Sequence, residues 1–164
     1  MLISQKTNDA INAQIGREFG AMLQYVNVAA YFSAESLPRL AAHFYRQADE
    51  EREHAMKFVH YVVDAGGRVA IPSVPATRSV GGAEEAVKVS LDWEVQVTKQ
   101  IHDLLNLAVQ EKDPTTQQFL QWFVEEQLEE VSSMDQLLSI VRRAGPQLLF
   151  VEDYLARESG GEEK

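Results

Sequence analysis

Four long stretches of this sequence contain no proline, and only the first of them contains glycine, at Gly16 and Gly20. Each stretch is rich in Ala, Leu, Glu and Gln, which are strong helix formers. The other glycines and all the prolines fall outside the stretches, where these residues end helices and make turns. The sequence therefore predicts four helices of nearly equal length, over residues 7–36, 39–65, 83–112 and 115–144.

Apolar residues recur in all four stretches at three- and four-residue steps, as one buried face of an α-helix requires. In the first stretch they are Ile11, Ile15, Met22, Tyr25 and Ala29. Alternating segments rich in β-branched residues, which would indicate strands, do not occur. Four amphipathic helices of similar length favour an all-α fold, with a four-helix antiparallel bundle as the simplest architecture.

The connections between the helices limit how the bundle can be wound. The first and second helices meet at Leu37-Pro38, and the third and fourth meet at Asp113-Pro114, so each pair forms a tight hairpin. The middle connection covers residues 66–82. It can run the whole length of the bundle, because an extended chain rises ~3.3 Å per residue and a helix only ~1.5 Å. One long crossover is therefore predicted between the second and third helices.

A short fifth helix is predicted over residues 147–157, with Tyr154 and Leu155 on an apolar side. Because four helices already complete a bundle, this side packs either against a partner subunit or against the end of the bundle. The acidic tail, residues 158–164, is polar and contains glycine, and we expect it to be disordered. Residues 1–157 are expected to form one domain.

The charge balance and the lack of cysteine exclude several classes of function. Asp and Glu number 25 against 15 Lys and Arg, which gives a net charge of −10. Nucleic-acid phosphates and anionic membranes both require a positive surface, so neither is expected as a partner. A chain without cysteine makes no thiolate metal site. No apolar run approaches the ~20 residues of a membrane helix, and no signal-peptide pattern begins the chain, so a cytoplasmic protein is expected.

Each predicted helix carries one glutamate on its apolar face, near the middle of its length. These residues are Glu18, Glu51, Glu94 and Glu130, and in a bundle they can meet in one layer. Burying an ionised carboxylate costs several kcal/mol, and four together also repel one another. Because no Lys or Arg lies on these faces, the layer needs cations. Two divalent metal ions would balance the four negative charges.

The Glu51-x-x-His54 pair is the most specific part of this pattern, since residues i and i+3 of a helix lie on one face and can share a metal. Dinuclear bundles use a lone glutamate from each of two helices and a Glu-x-x-His pair from each of the others. The fourth helix departs from this pattern, with Gln127-x-x-Glu130 and no histidine. Carboxylate oxygens with one imidazole suit iron, manganese or zinc.

With these motifs, the sequence resembles the ferritin superfamily, and more narrowly the bacterial non-haem ferritins, over residues 5–157. The resemblance rests on residues 48–56 (ADEEREHAM) and 119–130 (FLQWFVEEQLEE), with the crossover and the fifth helix. It implies an iron-storage protein and an enzyme, a ferroxidase that oxidises Fe²⁺ to Fe³⁺ with O₂ or H₂O₂. It also implies a homo-oligomer, a 24-subunit shell that holds ferric mineral and whose four-fold axes the fifth helix would line.

The resemblance places a di-iron centre in the carboxylate layer. One iron would be held by Glu18, Glu51 and His54. The other would be held by Glu51, Glu94 and Glu130, so that Glu51 bridges the two ions.

Further residues match positions close to that centre in the family. Gln127 would lie beside the irons, and Tyr25 matches a tyrosine next to the site that could supply an electron or a hydrogen bond. Many bacterial ferritins also carry an acidic third iron site. By resemblance its ligands here would be Glu50, Glu126 and Glu129, with Glu130 shared.

Departures from neighbouring families narrow the prediction. Haem-binding bacterioferritins usually have methionine directly after the bridging glutamate, whereas Arg52 follows Glu51 here, so no haem is expected. Two other functions stay open at this point. One is a di-iron oxygenase or oxidase acting on an organic substrate, and the other is a helical oligomerisation module whose carboxylates are incidental.

Overall fold

The computed structural model describes residues 1–161, and every regular element in that range is an α-helix. The five helices confirm the predicted fold class, a four-helix bundle with a short fifth helix. None of the helices in the described part of the chain is long and apolar enough to span a membrane. The helices are α1 (Gln5–Ala34), α2 (Pro38–Asp64), α3 (Ala83–Gln110), α4 (Pro114–Ala144) and α5 (Leu149–Gly161).

Local chemistry explains where the bundle helices start. The hydroxyl of Ser4 accepts a hydrogen bond from the Thr7 backbone N–H at 3.1 Å, so α1 begins two residues before the predicted start. Helix α2 starts at Pro38, whose fixed φ suits the first position of a helix. Helix α4 starts in the same way at Pro114, after Asp113 has capped it.

The crossover, residues 66–82, lies along α1 for most of its length. The side chains of Asn8 and Asn12 hydrogen-bond to the backbone of the early crossover, and Gln24 bonds to the backbone N–H and carbonyl of Arg78 at 2.7 and 2.9 Å. The crossover therefore begins near the start of α1 and returns the chain towards its other end. This places α3 antiparallel to α1, as the loop length predicted.

The two glycines within α1 make room for this crossover. A Cβ atom at Gly16 would lie 2.7 Å from the Cγ of Pro72, and one at Gly20 would lie 3.1 Å from the Cδ of Pro75. Any side chain there would push the crossover off the helix. The glycines thus weaken α1 slightly but allow the long connection to pack against it.

The apolar core forms two clusters along the bundle. One lies towards α5 and includes Phe32 and Phe44, and the other lies towards the start of α1 and includes Phe58 and Phe123. All four of these side chains are almost completely buried. In sequence, the polar residues of the carboxylate layer fall between the two clusters on each helix. The clusters hold the helices rigidly on both sides of that layer.

Helix α5 packs against the end of the bundle through Val151 and Leu155, which are buried. Leu149 and Phe150 remain exposed at its start. The helix begins two residues later than predicted and continues through Gly161, so residues 158–161 are helical where a disordered tail was predicted. Residues 162–164 lie outside the described range, and the prediction for them stays a prediction.

Candidate metal centre

The middle of the bundle contains a layer of buried polar side chains. The four glutamates of the apolar faces are all buried there, with exposed fractions of 0 to 4 %. His54 and Gln127 are buried with them. Each of α1 to α4 contributes one of these glutamates, because the helical period that orients the apolar residues inwards also orients the glutamate. The glutamates are Glu18, Glu51, Glu94 and Glu130.

Glu18, Glu51 and His54 form the first group able to hold a metal ion, with one ligand atom from each lying within 4.8 Å of the others. The Nδ1 atom of His54 is 3.3 Å from Oε2 of Glu51 and 3.9 Å from Oε2 of Glu18. All three residues are buried. This is the ligand set that the Glu-x-x-His spacing and the family resemblance predicted for one iron.

His54, Glu126 and Glu130 form a second such group. The other ring nitrogen of His54, Nε2, is 3.9 Å from Oε1 of Glu126. The imidazole therefore presents one nitrogen to each group. The resemblance implied Glu126 as a ligand of the third iron site, with Glu130 shared. Its closeness to His54 was not predicted, because it depends on how α2 and α4 pack.

Glu94 belongs to neither group, and both of its carboxylate oxygens are hydrogen-bonded within the protein. The Tyr25 hydroxyl donates to Oε1, and Nε2 of Gln127 donates to Oε2 at 3.1 Å. Gln127 also lies 3.1 Å from the hydroxyl of Thr98, which in turn donates to the backbone carbonyl of Glu94. Gln127 and Tyr25 therefore both contact the carboxylate layer through Glu94.

Three carboxylate oxygens in the layer have no hydrogen-bond partner although they are completely buried. They are Oε2 of Glu18, Oε1 of Glu51 and Oε2 of Glu130. Buried polar atoms are nearly always paired, and an ionised carboxylate only accepts. Cations bound in the layer would satisfy these oxygens, so the donor set fits hard divalent metal ions.

Burial and the repulsion of neighbouring carboxylates raise the pKa values of Glu51 and Glu130. For Glu51, burial raises the pKa well above its usual value, and the charges of Glu94 and Glu18 raise it further. Burial, then the charges of Glu94 and Glu50, raise the pKa of Glu130 to about 10. Without metal, protons therefore reduce the charge of the layer.

Glu94 and Tyr25 respond to the same environment. Burial raises the pKa of Glu94, while the hydrogen bonds from Tyr25 and Gln127 act in the opposite direction. The pKa of Tyr25 lies well above its usual value, because the ring is buried and its hydroxyl faces the negative charge of Glu94. Tyr25 therefore stays a neutral hydrogen-bond donor to this carboxylate.

The predicted third-site residues are only partly brought together. Glu50 and Glu126 are half-buried, and the charges of both raise the pKa of Glu130. Glu129 is exposed on α4 and joins neither metal-capable group. The structure thus places two of the three acids next to Glu130 and leaves the third at the surface.

Two polar contacts of the layer were missed by sequence reasoning. Gln14 is completely buried and donates a hydrogen bond to Glu18, and Thr98 contacts Gln127. The signal for Gln14 was present in the sequence, since it lies four residues before Glu18 on the same helix face. A glutamine at a buried position of an apolar face needs partners, and the i,i+4 neighbour is the nearest one.

The fold and this layer define a class of protein, the four-helix bundles that bind metal ions through buried carboxylates. A family model described as a ferritin-like domain matches residues 8–144. The chain belongs to the ferritin family. This confirms the resemblance that the helix-two and helix-four motifs indicated, and iron storage is the function of the family.

Individual relatives agree with this membership over most of their length. The ferritin BfrB of Mycolicibacterium smegmatis is 43% identical over 157 residues, which cover 95% of this chain and 87% of the relative. A bacterial non-haem ferritin of Staphylococcus aureus is 34% identical over 145 residues, covering 88% of this chain and 87% of that protein. The crystal structure of an open-pore ferritin from the hyperthermophilic archaeon Archaeoglobus fulgidus superposes with a TM-score of 0.90 at 37% identity, covering 94% of this chain and 96% of that one.

Proposed function

We propose that this ferritin is a ferroxidase, which oxidises Fe²⁺ with O₂ or H₂O₂ in the buried carboxylate layer and stores the ferric product as mineral. The observation that supports this most is the set of three buried carboxylate oxygens without partners, one on each of α1, α2 and α4. Such oxygens lower the stability of a bundle that binds nothing, and become ligands when a cation enters. Fe²⁺ is the substrate in this proposal.

In the proposed di-iron centre, Glu18, Glu51 and His54 hold one Fe²⁺, and Glu51 bridges to a second. Glu94 and Glu130 complete the second position. The geometry of the first group supports the first assignment directly. For the second position the support is the closeness of the charges, because Glu94 and Glu130 both raise the pKa of Glu51.

The reaction needs no further cofactor and no haem. Two Fe²⁺ ions lose one electron each, and O₂ takes up this pair with two protons to give H₂O₂. If H₂O₂ is the oxidant, the pair and two protons convert it to two water molecules. Carboxylate oxygens are hard ligands and bind Fe³⁺ more strongly than Fe²⁺, so the layer favours the oxidised ion. Gln127 and Tyr25 hold Glu94 until the second Fe²⁺ binds to it.

A third iron is proposed to bind next to the pair, between Glu50, Glu126 and Glu130. The half-buried Glu50 and Glu126 make this position more open to solvent than the di-iron centre. Glu129 lies three residues from Glu126, on a neighbouring position of the same helix face. It is proposed as the outermost acid of this site, where iron leaves the centre for the mineral.

A closed shell is proposed as the container for the mineral, in the cytoplasm and with 24 copies of the chain. Two exposed apolar patches support assembly. Leu149 and Phe150 on α5 are 75% and 68% exposed, and Leu23 and Val26 on α1 are about 40% exposed. Exposed apolar side chains in such groups are typical of surfaces that bury themselves against another subunit.

Aerobic addition of Fe²⁺ to the purified metal-free protein tests the proposal, followed by size-exclusion chromatography with iron analysis. We expect fast formation of ferric absorbance and hundreds of soluble irons per very large particle. A monomer or dimer that retains only two irons per chain would point to a di-iron oxygenase instead. Oxidation no faster than in buffer would leave only a helical oligomerisation module.

The substitution Glu51→Ala examines the bridging assignment. It should abolish fast oxidation and leave assembly largely intact, because Glu51 lies in the layer and not on the subunit surface. Glu53→Ala is the matched control, since Glu53 lies on the same helix but is exposed. If Glu51→Ala oxidises iron as fast as Glu53→Ala, Glu51 does not bridge two irons.

A further inference from the structure

The side-chain amide of Gln14 is completely buried at the α1 edge of the layer, and Gln14 is not one of the proposed iron ligands. We infer that Gln14 is a positioning residue of the metal centre, which holds the Glu18 carboxylate so that its second oxygen faces the iron. The inference rests on the proposed di-iron centre and names a residue that controls its geometry.

The hydrogen bonds of Gln14 use its whole amide group. Its Nε2 donates to Oε1 of Glu18 at 2.8 Å, and Oε1 of Gln100 lies 3.5 Å from the same nitrogen. Its own Oε1 accepts from Nη1 of Arg17 at 3.3 Å. The reversed amide would place an oxygen against the Glu18 carboxylate and an NH₂ group against a guanidinium. The orientation is therefore determined by the neighbouring charges and not only by packing.

The effect on Glu18 is asymmetric. Its Oε1 is held by Gln14, while Oε2 is buried without a partner and lies 3.9 Å from Nδ1 of His54. The carboxylate therefore directs its only free oxygen at the first metal-capable group. Since Gln14 and Glu18 are four residues apart on one helix, the backbone itself sets the distance between the amide and the carboxylate.

Arg17 extends this contact to the outside of the bundle. Its guanidinium is half-buried and lines a groove between α1, α3 and the crossover, together with Arg78 and Trp93. A cation that donates to the amide oxygen polarises the amide and strengthens the hydrogen bond that its nitrogen donates. Arg17 therefore acts on Glu18 through Gln14, without reaching the iron position.

Residues that hydrogen-bond to metal ligands fix the orientation of those ligands, and removing such residues typically lowers metal affinity or activity by about 10- to 100-fold. Glu51 and Glu130 have no comparable amide donor among the hydrogen bonds of the layer. Glu94 has one, since Gln127 donates to its Oε2. Gln14 is thus the counterpart of Gln127 on the opposite side of the centre.

The test is a Co²⁺ titration of the assembled, metal-free protein, followed by the ligand-field absorption of the bound ion. We expect Gln14→Met, which keeps the length of the side chain but cannot donate, to weaken the first Co²⁺ by about 10- to 100-fold and to shift its absorption bands. Gln100→Met is the matched control, because it removes a contact of the same amide without touching Glu18. It should stay within about twofold of wild type.

If Gln14→Met does not fold, Arg17→Met provides the test, since Arg17 is half-buried at the edge of a groove and belongs to neither apolar cluster of the core. We expect a weakening of a few-fold with a smaller shift of the same bands. A shift of the bands distinguishes positioning from a purely structural role, which would lower stability without changing the spectrum of bound Co²⁺.

The outcomes distinguish a failure of the proposed metal centre from a failure of the role inferred for Gln14. If the wild-type protein binds no Co²⁺, or if Glu18→Ala binds it equally well, the proposed centre is wrong. The inferred role of Gln14 is then wrong as well. If wild type binds Co²⁺ and Gln14→Met gives the affinity and bands of Gln100→Met, only the inference about Gln14 is overturned. Wild-type bands in Arg17→Met, with altered bands in Gln14→Met, would support Gln14 and contradict the role of Arg17.

Discussion

The two hairpins of the bundle contribute equal numbers of glutamates to the layer, but the hydrogen bonding of these glutamates differs. On the α1–α2 side, Glu18 and Glu51 each keep a buried oxygen free, and His54 adds a ring nitrogen within reach. On the α3–α4 side, Glu94 has both oxygens occupied by Tyr25 and Gln127. Oε2 of Glu130 on this side is free as well. A metal ion on the first side therefore finds free ligands on both glutamates, whereas on the second side it competes with the hydrogen bonds of Glu94.

This difference gives an order of binding. We expect the first Fe²⁺ to occupy the α1–α2 side, because its ligands need no rearrangement beyond the loss of protons. The second ion must draw Glu94 away from its donors and displace the proton that burial places on Glu130. Because the ligands of the two positions differ in hydrogen bonding and protonation, the two Fe²⁺ ions are expected to bind one after the other.

Replacing the imidazole on one side and the amide on the other is the strongest test of this comparison. His54→Ala removes a direct ligand and should weaken the first Fe²⁺ by more than about 100-fold. Gln127→Ala removes a donor that competes with the metal for Glu94, so it should leave the first Fe²⁺ unchanged and tighten the second by at most about tenfold. Anaerobic Fe²⁺ titration measures both. His60→Ala and Gln121→Ala are the controls, since both side chains are exposed on the same helices. Equal losses in the two variants would remove the distinction between the sides.

The pH dependence of stability tests whether Glu130, on the α3–α4 side, is protonated in the metal-free protein. The pKa of Glu130 is raised to about 10 when folded and is near 4.5 when unfolded, so the folded state holds a proton that the unfolded state releases. This stabilisation is fully present below about pH 4.5 and is lost as the pH rises towards 10, by at most about 1.4 kcal/mol per pH unit.

Glu130→Gln, which stays neutral, should flatten this slope in urea unfolding of the metal-free protein between pH 5 and 9. Glu125→Gln provides the control, as Glu125 is exposed on the same helix. Parallel stability curves for wild type and Glu130→Gln would show that Glu130 is ionised in the metal-free fold, and the proposed competition with its proton would be wrong.

Tyr25→Phe should have a smaller effect, confined to the α3–α4 side. It removes the hydroxyl that donates to Glu94 and leaves a buried oxygen unpaired, which costs about 1 to 2 kcal/mol of the free energy of unfolding. Urea unfolding without metal measures this loss. Tyr45→Phe serves for comparison because Tyr45 is exposed. An unchanged stability would mean that the hydroxyl does not hold Glu94.

The smallest effects are expected at the third site, where Glu126 and Glu129 can be compared. Glu126→Gln should lower the iron bound per chain from three to two, because Glu126 lies beside both His54 and Glu130. Glu129→Gln should change neither this number nor the oxidation rate, since its side chain is exposed. Equilibrium dialysis with Fe²⁺ under argon gives the number of bound irons, and ferric absorbance after mixing with air gives the oxidation rate. A loss of bound iron in Glu129→Gln as large as in Glu126→Gln would make Glu129 a direct ligand of the third iron.

Much of the centre could be predicted from sequence because helical periodicity is local. A glutamate that falls in step with buried Ile, Phe and Leu residues must enter the core with them, and this holds for Glu18 and Glu94 without knowledge of their partners. The spacing of Glu51 and His54 is local in the same way. For these residues, the position in the core follows from the helical spacing in the sequence, and the structure adds the distances between them.

Other features could not be predicted, because they depend on which helices meet and at what height. Glu126 and Glu129 look equivalent on one helix, yet only Glu126 approaches His54, since α2 packs over one side of α4. Likewise, the sequence does not explain why two glycines, Gly16 and Gly20, lie inside the first helix, whereas the structure places Pro72 and Pro75 against them.

By itself, the sequence of this protein determined the helices, the crossover and the glutamates that enter the core, since each depends on residues close together in the chain. The tertiary structure alone decided how the carboxylates are paired. Hydrogen bonds are formed between groups within about 3 Å, and such contacts between Glu94 and Tyr25, 69 residues apart, arise only when the helices pack. Those contacts occupy both oxygens of Glu94, while Glu18, Glu51 and Glu130 each keep one oxygen free.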